Sequence, residues 1–426
     1  MKPLPQFLWG TSTSSHQVEG NNTANDWWEW EIQGKLKEAS GSACDHYRRY
    51  ESDFDIVAKL GQNAHRFSIE WSRLEPEENV WDEEAFLHYE RVLKALHERG
   101  LEPVVTLHHF TNPLWYTRKG GWLHEKTPFY FTRFTKKCVE AFGKYVRFWV
   151  TINEPLVYLY HGFFAGLWPP GLKSFSSSMR VFRNQLLAHI SAYKVIHQHY
   201  KKELNQPVWV SIAKHISHFT PCNPHSWKDV WTLKIRSWFF NDLFLDAAVS
   251  GFLFFPGLFA EILPARNTLD FIGVNYYTRD FIRFGGQFTG EKSLGVSCEK
   301  SHHPTETGEL NMMGWEVYPE GLYHILKKLK RFNLPVVITE NGIATLDDNQ
   351  RSRFIQNHLS EVGRAAKEGV NVQGYFYWSL LDNFEWAHGF GPRFGVVEVD
   401  YQTQARKVRE SAYVLRDICR KLMGSN

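Results

Sequence analysis

The chain has 426 residues, 43% of them hydrophobic and 22% charged. This composition supports a large core and excludes a mainly disordered, collagenous or small disulfide-stapled chain. Lys and Arg (49) against Asp and Glu (46) leave a net charge of +3, too weak a field to favour nucleic acid or an anionic membrane as partner.

The opening MKPLPQFLWG has one early lysine and no apolar run of signal-peptide length, and no later stretch reaches the roughly 18 apolar residues of a membrane span. A cytoplasmic protein without a membrane partner is the expectation. Five cysteines (Cys44, Cys138, Cys222, Cys298 and Cys419) are odd in number, widely spaced and free of any C-x-x-C pattern, so reduced thiols and no metal site are expected. Aromatics reach 16%, with 17 Trp; they suit either large cores or the apolar faces of sugar rings.

In chain order, the first predicted strand is FLWGTS (7–12). AHRFSIEW (64–71) is the second, followed by the helical period DEEAFLHYERVLKALHERG (82–100), acidic at its start and closed by glycine. EPVVTLHH (102–109) and RFWVTINE (147–154) come next, then the helix NQLLAHISAYKVIHQHY (184–200). PVWVSIAK (207–214) and FIGVNYY (271–277) precede the helix PEGLYHILKKLKRF (319–332). PVVITEN (335–341), the helix RSRFIQNHLSEVGRAAKEG (351–369), GYFYWSLLD (374–382) and the amphipathic helix AYVLRDICRKLM (412–423) complete the chain. Several runs are apolar on both faces, as in parallel strands buried on both sides.

Eight strands alternating with helices predict an α/β fold, a (β/α)8 TIM barrel forming a single domain over 1–426. An open doubly wound sheet would carry a Gly-rich phosphate turn after its first strand, and none is present. In such barrels the chemistry stands at the carboxy-terminal strand ends. Here those ends are polar: His108 and His109, Asn153 and Glu154, Asn275 and Tyr277, Glu340, and the run containing Trp378, Glu385 and Trp386. A glutamate closing an apolar run is costly to bury unpaired. Two such glutamates facing one cavity would supply the acid and the nucleophile or base of glycoside hydrolysis; either alone could equally be a salt-bridged strand end. His108 and His109 are adjacent on a strand and so face opposite ways, without a carboxylate ligand set, which argues against a metal hydrolase.

Two motifs, TINEP (151–155) and ITENG (338–342), resemble the acid/base and nucleophile signatures of glycoside hydrolase family 1, the β-glucosidase and β-galactosidase family. The resemblance extends through HQVEG, AHRFSIEWSRL, VTLHHF, FIGVNYYT, MGWEVYPEGLY, GYFYWSLLDNFEW and RFGVVEVDY. It implies a retaining β-glycosidase without cofactor, of β-glucosidase type with β-galactosidase, β-fucosidase or transglycosylation activity, acting on small β-glycosides or oligosaccharides. The resemblance makes Glu154 the acid/base and Glu340 the nucleophile, with Arg66 and Tyr277 beside Glu340 keeping it ionised, while the charge of Glu340 keeps Glu154 protonated. Retention implies carboxyl groups about 5–5.5 Å apart. Gln17, His109, Asn153, Asn275, Glu385 and Trp386 would hold the sugar, Trp378 would be its platform, and Trp315 would stack on the leaving group, with Trp168 flanking the same entrance.

The pattern departs where the family has Trp-Asp and this chain has Phe110-Thr111, and across 280–312. The segment AHGFGPRFG (387–395) lacks the Ser, Lys and Tyr set of members that act on 6-phosphorylated sugars, so unphosphorylated glycosides are expected. The competing expectation is a catalytically silent carbohydrate-binding or signalling relative.

Overall fold

The computed structural model describes residues 6–288, 290–298, 303 and 305–423. Parts of the divergent stretch 280–312 thus lie outside the described residues. Eight parallel strands close into a barrel: β1 (Leu8–Ser12), β2 (Ala64–Ser68), β3 (Glu102–His108), β4 (Phe148–Asn153), β5 (Trp209–His215), β6 (Ile272–Tyr276), β7 (Val336–Asn341) and β8 (Val372–Trp378). Each pairs with its sequence neighbours, and β8 pairs back with β1. This is the (β/α)8 barrel that the alternation of strands and helices predicts.

Every predicted strand exists, with ends displaced by a few residues. The second is shorter than expected because Trp71–Leu74 forms a helical turn, in which the Glu70 carboxylate accepts from Ser72 N. The fifth runs one residue further, to His215. The eighth stops at Trp378; beyond it Glu385 precedes a short 3-10 helix, Trp386–His388.

The strands are buried on both faces because the barrel has two cores. Inside it, Leu8, Val104, Phe148, Val150, Trp209, Val337 and Phe376 fill the axis, as small and large side chains interdigitate in such interiors. Phe148 stacks on Trp209 at 5.0 Å. Gly10 contributes space instead of volume, since a Cβ there would lie 2.7 Å from the Phe376 ring. Outside, helices such as Glu83–Glu98, Phe175–His199 and Asp348–Lys367 lay their apolar faces on the strands. Asp82 caps the first of these by accepting from Ala85 N, an N-cap that satisfies an otherwise unpaired donor.

Two features depart from the sequence expectations. After β5 and β6 the chain adds a small sheet of His218–Pro221, Arg279–Arg283 and Val296–Ser297. Cys222 and Cys298, expected as reduced thiols, are joined across it in a disulfide with Cα atoms 6.6 Å apart. Spacing could not reveal this, because 76 residues separate the two. His303 offers a ring nitrogen within 4.8 Å of both sulfurs, but sulfurs bonded to each other present no thiolate to a metal. Cys44, Cys138 and Cys419 are free and buried. Among the described residues no helix is long and apolar enough to cross a membrane.

Phe376 is fully buried at the barrel axis, so Phe376→Ala is expected to lower unfolding stability by about 3–5 kcal/mol. Urea denaturation followed by tryptophan fluorescence checks this; an unchanged midpoint would show that the axis is not close-packed.

Candidate active site

The carboxy-terminal strand ends open into a cleft of about 1170 Å³. Two register irregularities lie at its base, one in the β4–β5 pairing between Val150 and Asn153, the other in the β6–β7 pairing between Ile338 and Glu340. Such irregularities re-aim side chains, and here they fall beside the two strand-end glutamates. Glu154 also leaves its strand in the left-handed region, at φ 43°, while its backbone N donates to Ala213 O at 2.7 Å. A non-glycine residue adopts that conformation only when its surroundings impose it, a pattern concentrated at functional sites.

Both glutamates line the cleft. Glu340 Oε1 accepts from Arg66 Nη1 at 2.6 Å and Oε2 from the Tyr277 hydroxyl at 2.5 Å. Arg66 is itself buried, and its Nη2 donates to Asn153 Oδ1 at 2.7 Å. Asn275 Nδ2 donates to the same Asn153 oxygen at 3.1 Å and to Glu154 Oε1 at 2.8 Å. Thr339 Oγ1 donates to Asn275 Oδ1 at 2.6 Å and so fixes the orientation of that amide. One hydrogen-bonded chain therefore joins the two carboxyl groups behind the cleft.

The residues expected to hold sugar continue from the same network. Asn153 Nδ2 lies 3.2 Å from His109 Nε2. Burial drives the His109 pKa far down, so the ring is neutral, Nε2 accepts, and the proton sits on Nδ1. That Nδ1 is buried without a hydrogen-bond partner. The ring lies near-parallel to Trp378 and Trp386, with centroids 5.9 and 6.1 Å away. Gln17 Nε2 donates to Glu385 Oε2 at 3.2 Å and Ser14 Oγ to Gln17 Oε1 at 2.7 Å. Trp315 packs on Tyr277 and Phe394 at the outer rim. Gly342 lets the end of β7 approach β8, since a Cβ there would meet the Trp378 carbonyl oxygen at 1.8 Å.

Ten of the twelve residues expected from the sequence thus border the cleft. Arg66 and Asn275 do not; both stand behind it. Asn275, expected to hold sugar, donates to Glu154 and Asn153. His108 faces away, with Nε2 3.1 Å from Asn112 Oδ1. The divergent pair also resolves. Phe110 lines the cleft, in the left-handed region at φ 71°, and packs on Trp168 and Trp386, whereas Thr111 turns inward to donate to Glu70. Trp168, expected at the entrance, is in the cleft wall.

The reading of strand ends missed His215. It closes β5, lines the cleft, and places Nδ1 3.3 Å from Glu154 Oε1. The same rule would have found it had the predicted strand not stopped at Lys214.

His215 alters the electrostatics expected from the sequence. Burial pushes the Glu154 carboxyl up, but the hydrogen bond and charge of His215, with Asn275 and Arg66, outweigh it and hold Glu154 below its ordinary value. Burial, opposed by Arg66, and then the charge of Glu154 raise Glu340 to about 7 despite the Tyr277 hydrogen bond. Glu154 and Glu340 are thus a coupled pair pushed in opposite directions. Burial, followed by the charges of Glu340 and Glu154, raises Glu385 to about 8.

A barrel with two carboxyl groups at the mouth and a stacked aromatic wall belongs to the glycoside hydrolases. The Glycosyl hydrolase family 1 model matches residues 2–422, and the chain belongs to that family. Beta-glucosidase A of Thermotoga maritima is 35% identical, over 97% of each chain. A beta-galactosidase of Pyrococcus woesei is 30% identical, over 97% of this chain and 96% of its own. The solved structure of a beta-glycosidase from Pyrococcus horikoshii is 44% identical, with a TM-score of 0.90, covering 98% of this chain and 95% of that one.

A buried carboxyl with a raised folded-state pKa keeps its proton where the unfolded chain has lost it, so stability falls as pH climbs between the two values. For Glu385 that window runs from its ordinary 4.5 to about 8. Glu385→Gln, neutral throughout, should gain stability relative to the parent as pH rises through this window. Urea unfolding at pH 4.5 and pH 8 checks it; an equal difference at both would remove Glu385 as a source of pH dependence.

Proposed function

We propose that the protein is a retaining β-glycosidase of β-glucosidase type that removes the terminal non-reducing sugar from unphosphorylated β-glycosides or oligosaccharides, using no cofactor. The observation that carries this reading is the Glu340 carboxyl clamped by Arg66 and Tyr277, joined through Asn153 and Asn275 to Glu154 in the same cleft. Both clamps donate to Glu340, so both favour the carboxylate needed for attack.

In the first half-reaction a Glu340 oxygen bonds to the anomeric carbon as the glycosidic C–O bond breaks, and the leaving oxygen takes the proton of Glu154. Asn275 and His215 both occupy Oε1 of Glu154, which leaves Oε2 to face the glycosidic oxygen. Esterification removes the charge of Glu340. Glu154, now a carboxylate, takes a proton from water as that water displaces the ester, which restores both groups. An alcohol in place of water gives transglycosylation.

The His109 ring, the Asn153 amide and the Gln17–Glu385 pair suit the sugar hydroxyls, and Trp378 with Trp386 suits its apolar face. Glucose and galactose differ in one hydroxyl, which Gln17 and Glu385 can reach together, in keeping with relatives named for both sugars. Trp315 and Trp168 at the rim suit the leaving group. The reading takes the whole chain, 1–426, as one domain and its location as cytoplasmic. The three free thiols support that location, whereas the Cys222–Cys298 bond is of a kind uncommon in reducing compartments.

Hydrolysis of an aryl β-glucoside, with the first product observed by NMR, tests the reading; the β anomer is expected first. Glu340→Ala should lose activity by about 10⁴-fold or more, and azide should restore turnover with an α-glycosyl azide as product. Glu154→Ala with azide should give the β-glycosyl azide. An α anomer as first product would overturn the mechanism, and a folded protein without turnover on a panel of aryl β-glycosides would leave a carbohydrate-binding role.

A further inference from the structure

The carboxyl pair has a third proton-holding partner. His215 Nδ1 lies 3.3 Å from Glu154 Oε1, and its Nε2 lies 3.1 Å from Ser217 Oγ. Ser217 is pinned in turn by Asn241, which accepts from its backbone N at 3.1 Å and donates to its backbone O at 2.9 Å. The imidazole lies near-parallel to Tyr277, 6.1 Å between centroids, and meets Phe240 edge-on at 5.8 Å. The ring is thus fixed on both faces and at both nitrogens, with one nitrogen aimed at the carboxyl group.

We propose that His215 is a positioning residue for Glu154, which orients the carboxyl through Oε1 and decides by its own charge which of the two glutamates holds the shared proton. The inference rests on the assignment of Glu154 as acid/base. A charged His215 draws Glu154 into an ion pair and leaves the proton on Glu340, an unproductive arrangement. A neutral His215 accepts from Ser217 at Nε2 and keeps its proton on Nδ1. Glu154 then loses the cation that favoured its ionisation, and Arg66 with Tyr277 returns the negative charge to Glu340. Passing from the charged to the neutral arrangement releases the Nε2 proton of His215 to solvent, while the proton of Glu340 passes to Glu154.

The titratable groups around His215 are Glu154 at the end of β4, Lys214 beside it on β5, His161 in Tyr160–Phe164 and Tyr277 after β6. Burial lowers His161 to about 4 and raises Tyr277 far above its ordinary value, so neither titrates near neutrality. Burial lowers Lys214 to about 7. Its Nζ donates to His215 O at 2.6 Å and stands over the Phe240 ring. Lys214 is retained in every variant compared, so its titration is common to all of them.

The experiment is the pH profile of kcat/KM on an aryl β-glucoside for the parent, His215→Asn and His215→Lys, with folding checked by near-UV circular dichroism. The alkaline limb, which reports loss of the Glu154 proton, should move up by about half a pH unit or more in His215→Asn, where the cation is gone. It should move down by a similar amount in His215→Lys, where the charge is permanent. A residue that only packs would lower activity evenly across pH. An active parent whose alkaline limb stays in place in every folded variant would overturn the role of His215 alone, whereas an inactive parent would overturn the acid/base assignment beneath it. If one variant fails to fold, the other still decides.

Discussion

The site depends on one buried cation. Arg66 stands in the middle of β2 with its guanidinium almost wholly removed from solvent, a position tolerable only if its charge and donors are matched. Glu340 supplies the charge, and Asn153, Thr106 and the Thr339 carbonyl accept its remaining hydrogen bonds. Because these partners come from β3, β4 and β7, Arg66 ties distant parts of the strand ring to one planar fork. Asn153 passes the constraint on through Asn275 to Glu154.

That cross-link explains why the cleft is both polar and rigid. The two glutamates are each held by a group behind the cleft, Arg66 for Glu340 and Asn275 for Glu154, so a ligand finds the carboxyl groups already placed, as preorganised electrostatics require. The cost is a crowd of acidic groups in a low-dielectric hollow. Glu340 and Glu385 are both pushed towards neutrality by burial, aided by the charge of Glu154 on the first and of Glu340 and Glu154 on the second. The protein holds together around this strain because the barrel axis and the helix layer are packed independently of it.

The sequence carried much of this. Runs apolar on both faces can only be interior parallel strands or buried helix segments, and their length and turn boundaries chose strands. Polar residues closing such runs, Glu154 and Glu340 above all, were conspicuous because burial penalises them. Strand ends were less legible: Trp71 reads as strand by its apolar character, yet Glu70 accepts from Ser72 N and starts a helical turn. Truncating the fifth strand at Lys214 hid His215, which stands beside Glu154. The Cys222–Cys298 bond had no local signature at all.

Periodicity and residue chemistry, read along the chain, determined the eight strands, the class of barrel and the pair of acidic groups, because each is a local consequence of which side chains tolerate burial. Tertiary structure alone decided that Asn275 braces Glu154 and Asn153, that Thr111 leaves the cleft while Phe110 stays, and that a histidine from a neighbouring strand stands beside the acid. Those outcomes turn on distances of about 3 Å between residues far apart in sequence, where hydrogen bonding and Coulomb interaction are decided by the closure of the barrel.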